Sequence, residues 1–419
     1  MTNDYRQNFH IKLKIGNIDF TKNLMQVRIV NSVAALMPFV VLDFVTYGEK
    51  IVTHEIFGKD EIKMTLVEVR EYDHIQEVNE FTLIYIKADE TPIKSRPMTP
   101  ITSKGDGNDT YPEKLIVSFF IKEPMKNLNV EINKCFQEEK VRIPLDALTE
   151  ICDIFVPGMK KEINRNFEND IKLPKTFNCP RMPFGELVKF LNVAQMGGYH
   201  KSPSIMFHDK DKFYTWSSRW KIKQSPDIIV HQLPSTGDID PILERVFKSD
   251  NEFYSKIAIR TKFDGPQNLV NTGNVVVARV NPDDTLFGEH KINIMKEVLP
   301  ENTARTGDNN RLVNDTVSDM SAYYQGAGWG KSQTYIRNHL SKQLGNVFEI
   351  TMLLSRNVKI KKLMTPGICM ELKTYSMDYL LYAGKYILVS TDLIFNREET
   401  EIFVCTSKLR AQRNNILDS

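Results

Sequence analysis

With 419 residues, 41% hydrophobic and 26% charged, the chain has the make-up of a folded protein with more than one domain, which excludes a disordered or fibrous class. Lys and Arg number 55 against 53 Asp and Glu, and a net charge of +2 excludes a field strong enough to gather a polyanion by itself. The most apolar stretch, Val33 to Leu42, is broken by Pro38 and falls short of the ~18 residues of a spanning helix, so no membrane span is expected, and the polar start Met1 to Gln7 does not read as a secretory leader.

The first elements in chain order are strands. Phe9, Ile11, Leu13 and Ile15 alternate with His10, Lys12 and Lys14, the period of two that half-buries a strand, and Gly16-Asn17 then turns the chain. Met25 to Val30, Phe39 to Val45, Ile62 to Val69 and Glu80 to Ile86 mix the same alternation with β-branched and aromatic residues, and together they predict a small antiparallel barrel. Ala88 to Glu113, with Pro, Thr, Gly and Asp, is expected as a long exposed loop, after which Lys114 to Ile121 resumes as a strand. Within that loop Lys104-Gly105-Asp106-Gly107-Asn108-Asp109 invites a calcium reading, but the acidic spacing misses the loop pattern and no Glu closes it, so a solvated loop is favoured.

Helical signals follow. Leu145, Leu148, Ile151, Cys152 and Phe155 form one stripe between Pro144 and Pro157-Gly158, and Pro183 to Met196 predicts a second helix with Phe184, Leu187, Val188, Leu191 and Ala194 on one face. Ser204 to Phe207 and Phe213 to Trp216 flank His208-Asp209-Lys210-Asp211-Lys212 as a β-hairpin with a polar turn. A His beside two Asp offers metal donors, yet no second His or Cys cluster lies nearby in sequence, and a wet turn is expected. Asp240-Pro241 caps a third helix through Phe247, and strands follow at Tyr254 to Phe263 and Asn274 to Val280. After a helix at Ser332 to Leu344, Val347 to Leu354, Ile368 to Lys373, Lys385 to Leu393 and Glu401 to Leu409 read as strands of a second barrel-like block.

No catalytic residue, metal ligand or cofactor site emerges from the motifs. Gly326-Ala327-Gly328-Trp329-Gly330-Lys331-Ser332 ends like a phosphate loop, but Gln325 stands where that loop needs its first glycine, and Asn314 to Tyr324 is polar rather than a buried parallel strand, so a connector is expected. His54-Glu55 lacks the second His of a zinc-protease helix, and Cys135, Cys152, Cys179, Cys369 and Cys405 are scattered, odd in number and read as reduced thiols. Val358-Lys359-Ile360-Lys361-Lys362 alternates lysine with apolar residues and reads as the solvated side of a strand rather than a nucleic-acid groove. The alternative readings are a nucleotide-binding enzyme using Gly326 to Ser332 or a cell-wall-acting enzyme using unassigned carboxylates.

The end of the chain carries a family resemblance. Leu363-Met364-Thr365-Pro366-Gly367-Ile368-Cys369-Met370-Glu371-Leu372, then Tyr382-Ala383-Gly384-Lys385-Tyr386-Ile387-Leu388-Val389-Ser390-Thr391-Asp392-Leu393, then a return strand ending Ser407-Lys408-Leu409-Arg410, resemble the closing barrel of the baseplate hub proteins of contractile-tailed phages, a family that includes the late control protein D type and the heads of type VI secretion spikes. Asp392 stands where many relatives carry His, so no role tied to that His transfers. The resemblance implies an α+β, mainly β fold with two antiparallel tube-type β-barrels and helical and loop insertions. It divides the chain into a first barrel at 1–125, a helical connecting domain at 126–235 whose hairpin 205–216 helps complete that barrel, a mixed insert at 236–345 lending strands to the second barrel, and a second barrel with a tail at 346–419. It further implies a non-enzymatic virion protein, a homotrimer presenting six quasi-equivalent units to a hexameric tail tube, with DNA passing the lumen without specific binding; the alternative under the same resemblance is another tail component such as a tube initiator. Because the chain stops at Ser419 without a needle, a separate spike protein is expected as partner, besides the tube protein and baseplate wedge proteins.

Overall fold

The structure is a computed structural model that describes residues 8–33, 35–47, 61–69, 76–91, 112–137, 144–164, 176–190, 204–232, 251–255, 257–261, 274–280, 292–298, 317–325, 346–353, 360–374, 382–399 and 401–413. Alternation in the sequence becomes a barrel wall. Strand β1 (Asn8–Ile15) buries Phe9, Ile11, Leu13 and Ile15 and leaves Lys12 and Lys14 exposed. A two-residue strand β2 (Ile18–Asp19) folds back on it. Strands β3 (Leu24–Ser32), β4 (Phe39–Tyr47), β5 (Ile62–Val69), β6 (Gln76–Thr91) and β7 (Pro112–Ile121) repeat the pattern, with Val27, Leu42, Met64, Phe81 and Phe119 turned inward.

Two strands from the far end of the chain, β21 (Gly384–Glu399) and β22 (Ile402–Arg413), complete the ring. The pairings run β1 to β5, β6, β7, β4, β3, β21, β22 and back to β1, all antiparallel, so eight strands close on themselves. The interior is filled by Phe9, Phe44, Phe81, Phe119, Phe395 and Phe403, with Phe9 and Phe395 edge to face at 5.2 Å. Burying each such ring contributes about 1.5–3 kcal/mol, and an eight-stranded barrel has room for side chains but not for a channel. Nothing can thread this barrel.

Among the described residues one barrel is closed, where the sequence led to an expectation of two. The strands Lys385 to Leu393 and Glu401 to Leu409, expected in a second block, close the first one. Period-two alternation states which face of a strand is buried but not which strand lies beside it.

The β21–β22 hairpin is long enough to serve two sheets. Its tip half, 390–396 and 402–404, pairs with β3 and β1. Its base half pairs with β20 (Cys369–Lys373) and β19 (Asn346–Leu353), and from these the sheet continues to β13 (Ile228–Gln232) and β14 (Glu252–Ser255) on one side and to β15 (Ile257–Thr261) on the other. The order of this seven-stranded array is β14-β13-β20-β21-β22-β19-β15. Its end strands β14 and β15 are separated in sequence by Lys256 alone.

A second core forms around Leu128, Ile132, Leu148, Ile151, Phe184, Leu187, Met206 and Phe213. It gathers helices α1 (Lys122–Leu128), α2 (Pro144–Phe155) and α3 (Phe184–Phe190), together with a two-stranded sheet of β8 (Glu131–Gln137) and β10 (Thr176–Pro183). The hairpin of β11 (Ser204–His208) and β12 (Phe213–Ser217) does not join the first barrel, as the sequence led us to expect, but pairs with β9 (Lys161–Ile163) in a sheet of three. Its faces are apolar on both sides, so Ile205 and Trp216 pack on the barrel core while Met206 and Phe213 pack on the helical core.

Other expectations shift. Ala88 to Thr91, expected to open a loop, belong to β6, whose pairing with β7 continues to Thr91, and residues 92–111 lie outside the described residues. Asn314 to Tyr324, read as too polar for a parallel strand, overlaps strand β18 (Val317–Gln325), which is parallel to β16 (Asn274–Val280), itself also paired with β17 (Ile292–Val298); pairing across the sheet overrides the polar composition. Ile360–Leu363 is a helical turn, α5, after α4 (Ser218–Lys223), so Lys361 and Lys362 do not lie on a strand. The helices expected at 240–247 and 332–344 lie outside the described residues, as does the end of the helix expected at 183–196.

Candidate functional site

The turn between β11 and β12 is where the barrel, the helical core and the Pro366-Gly367 turn meet. Asp209 follows a strand whose last residue is buried, and its Oδ1 accepts the backbone N–H groups of Asp211 at 2.6 Å and Lys212 at 2.8 Å, the side-chain turn that Asp favours. Its Oδ2 accepts the Thr365 hydroxyl at 3.1 Å. Burial, then the Asp209 carboxylate beside it, pushes the Tyr214 hydroxyl well above its ordinary value, so it remains a donor to Asp209. The His208 ring is fully buried, with Nε2 2.9 Å from the Asn127 amide of α1 and Nδ1 2.6 Å from the Asp209 carbonyl. A neutral ring with its proton on Nδ1 satisfies both contacts. Burial holds its pKa below the ordinary histidine value, against the opposing pull of Asp209, Glu123 and Asp211.

The outer rim of the turn is charged. Asp211 pairs with Lys361 of α5 at 2.6 Å and Lys212 with Glu162 of β9 at 2.5 Å, while the Lys210 ammonium lies 5.0 Å above the Phe81 ring of the barrel. Burial draws Lys210 below the ordinary lysine range. The turn expected to be wet is therefore half-buried and tied to three elements. The cleft beside it, lined by Asn79, Asp209, Lys210, Asp211, Lys361 and Met364, measures about 240 Å³ including open solvent. Its enclosed volume is only about 10 Å³, room for a single water and not for the small molecules that sites of ~300–1,000 Å³ bury. Asp209 and His208 spend their polar atoms on the protein itself, so the arrangement fastens the turn to its neighbours.

A second fastening lies beneath the hairpin. Trp216 Nε1 donates to the Gly367 carbonyl at 2.8 Å, and the Gly367 N–H donates to the Leu388 carbonyl at 2.6 Å. Gly367 has φ +82°, and a Cβ there would lie 2.6 Å from Ile205 Cγ2. Asp227 receives Lys221 at 2.8 Å and the Cys369 N–H at 2.7 Å. Asp392, the departure from the family pattern, makes a two-point pair with Arg28 on the barrel's outer wall, at 2.6 Å and 3.3 Å.

Among the described residues no group of three His, Cys, Asp or Glu side chains is placed to hold a metal ion. Cys152, Cys369 and Cys405 are buried and unpaired with one another; burial pushes the first two thiols up to about 12 and Cys405 well above its ordinary value. Lys104 to Asp109, His54-Glu55 and Gly326 to Ser332 lie outside the described residues, although the strand β18 that precedes the last of these is present. Sequence reasoning missed Asn127, Tyr214 and Thr365 as partners of the turn. The Asp two and three residues before its N–H donors was the one local signal available.

No family model and no curated protein matches the amino-acid sequence. The fold, however, has solved counterparts. The crystal structure of the tail protein from Neisseria meningitidis MC58 superposes with a TM-score of 0.53 at 9% identity, covering 97% of both chains. The chain has the fold of a tail protein. The 43 kDa tail protein of prophage MuSo2 from Shewanella oneidensis agrees with a TM-score of 0.50 at 9% identity, again over 97% of both chains. The similarity to these tail proteins spans barrel, helical core and the strands after residue 346 alike, at an identity that speaks for the fold alone.

Proposed function

We propose that this chain is a structural hub of a contractile tail, a virion protein that joins a hexameric tail tube to a trimeric spike and performs no catalysis. The observation that carries this reading is the seven-stranded array on the base of the β21–β22 hairpin. Its end strands are joined by one residue, so the Cα atoms of Ser255 and Ile257 lie at most about 7 Å apart. Laid flat, seven strands would hold those ends about 29 Å apart. The array must curl round on itself, which supports a second tube-type unit built from 228–261 and 346–413 that shares its hairpin with the first.

Two tube-type units per chain let three chains imitate six. Such a trimer docks on a six-fold tube on one side and accepts a three-fold spike on the other. The shared fold with tail proteins over almost the whole chain supports the same placement. Since the barrel interior is packed with side chains, DNA passes between chains rather than through a barrel, and a net charge of +2 suits passage without specific binding. Tube, spike and wedge proteins are the partners. Light scattering on the full chain, followed by particle images down the long axis, tests the reading: three chains with six-fold modulated mass are expected, and a stable monomer or six chains per ring would overturn it.

A further inference from the structure

His208 stands where three elements meet. Its backbone N–H donates to the Leu36 carbonyl at 2.7 Å, in the connection between β3 and β4. Its ring receives the Asn127 amide of α1 on Nε2 at 2.9 Å and donates from Nδ1 to the Asp209 carbonyl of the β11–β12 turn at 2.6 Å. Barrel, helical core and hairpin are thus tied through one fully buried residue. Leu36 is held there at φ +62° with its side chain in the helical core. Such left-handed backbone is costly for a residue with a side chain and persists only while its neighbours hold it.

This junction accepts one protonation state. A neutral ring offers one donor and one acceptor, and both are used; a second proton turns the acceptor into a donor facing the Asn127 N–H. Turning the amide over would restore a hydrogen bond and still leave a cation sealed from water. The charged groups that face the ring are Asp209 and Asp211 of the turn and Glu123 of α1, while β12 presents the Phe213 ring at 6.4 Å and the β3–β4 connection the Leu36 backbone. Asp209 spends its carboxylate on the Thr365 hydroxyl and the turn N–H groups, and Asp211 spends its own on Lys361. Burial outweighs the pull of the three carboxylates, so the folded ring resists a proton that an opened one takes.

We propose that His208 is a proton-operated latch: at neutral pH its ring ties the β11–β12 turn to α1, and on acidification it releases the two from each other while the barrel stays closed. Local opening of this kind draws on the least stable contacts of a fold, and here those are the contacts between the two cores rather than within either. The inference stands apart from the proposed hub.

The test is hydrogen exchange on the full chain, read by mass spectrometry at about pH 7.5 and about pH 5.5 and corrected for the intrinsic pH dependence of exchange. That window lies above the ordinary carboxylate range and spans the ordinary histidine value of about 6.5. An opened turn takes up its proton at that value, so opening should be about tenfold more frequent at the lower pH. Protection of α1 and of the β11–β12 hairpin is expected to fall by that factor, while β1 and β5 of the barrel keep theirs. His208→Gln offers a donor and an acceptor without titrating and is expected to abolish the fall. Asn127→Asp gives an imidazolium its carboxylate and is expected to abolish or reverse it. Constant protection in the parent, an equal fall in the His208→Gln protein, or β1 and β5 loosening together with the hairpin overturns the latch. If the Asn127→Asp protein does not fold, as judged by circular dichroism, the parent and His208→Gln proteins decide alone.

Discussion

Replacing Gly367 by alanine tests the fastening of the hairpin to the barrel. The new Cβ would lie 2.6 Å from Ile205 Cγ2, 3.3 Å from Ile205 Cδ1 and 3.2 Å from Trp216 Nε1, on a backbone at φ +82°. The left-handed conformation costs an alanine about 1–2 kcal/mol. Pushing Ile205, which is 6% exposed, out of its packing costs a further ~1–3 kcal/mol, and the Trp216 bond to the Gly367 carbonyl is strained at the same time. The expected loss is therefore roughly 2–5 kcal/mol. If the chain unfolds as one unit, that lowers Tm by about 2–6 °C for a protein of this size. Urea unfolding followed by circular dichroism measures the loss directly, with Gly158→Ala as control because nothing lies within 4 Å of a Cβ there. A Gly367→Ala protein as stable as the Gly158→Ala protein refutes the argument that this turn is fixed by a close approach.

Stability should fall on acidification through His208. Its folded pKa lies below the ordinary value because burial disfavours the charged ring, so the unfolded chain takes up the proton first. The contribution is complete above about pH 7 and is lost as pH falls through the ordinary histidine pKa towards the folded one; His208→Gln should flatten that part of the stability profile in urea titrations at stepped pH. The Arg28–Asp392 pair, with side chains 40% and 21% exposed, should give a coupling of no more than about 1 kcal/mol in a double-mutant cycle with alanine. Buried thiols with raised pKa values leave little thiolate, so Cys152, Cys369 and Cys405 should resist alkylation near pH 8 in the folded chain and react once it is unfolded, read by mass spectrometry.

Local patterns exposed the strands well and the architecture poorly. The run from Phe9 to Ile15 was legible because one of its faces is buried and the other is wet, and the hairpin at 205–216 was legible from its polar middle. Ile228–Gln232 escaped notice because it pairs in parallel on both edges, with β14 and β20, and such strands show short apolar runs instead of alternation. The polar turn at 208–212 was correctly placed, but its burial depends on Asn127 and Thr365, 81 residues before and 156 after the groups they bind. Pairing of residue 9 with residue 403 has no local signature at all. Resemblance in the last seventy residues pointed towards a tail-protein fold but placed in a second block the strands that close the first barrel.

The ring of the first barrel has a timing problem at birth. Six of its strands have been made once residue 121 is synthesised, but the two that seal it end only at residue 413. At ~5–20 residues per second the ribosome needs roughly 15–60 s to cover the interval. Throughout that wait the edges of β1 and β3 stand unsealed with their apolar faces formed, inviting another nascent chain to zip onto them. A holding chaperone supplied in excess, or a lower expression level that thins the neighbouring nascent chains, should therefore raise the yield of soluble protein more than any substitution in the finished fold.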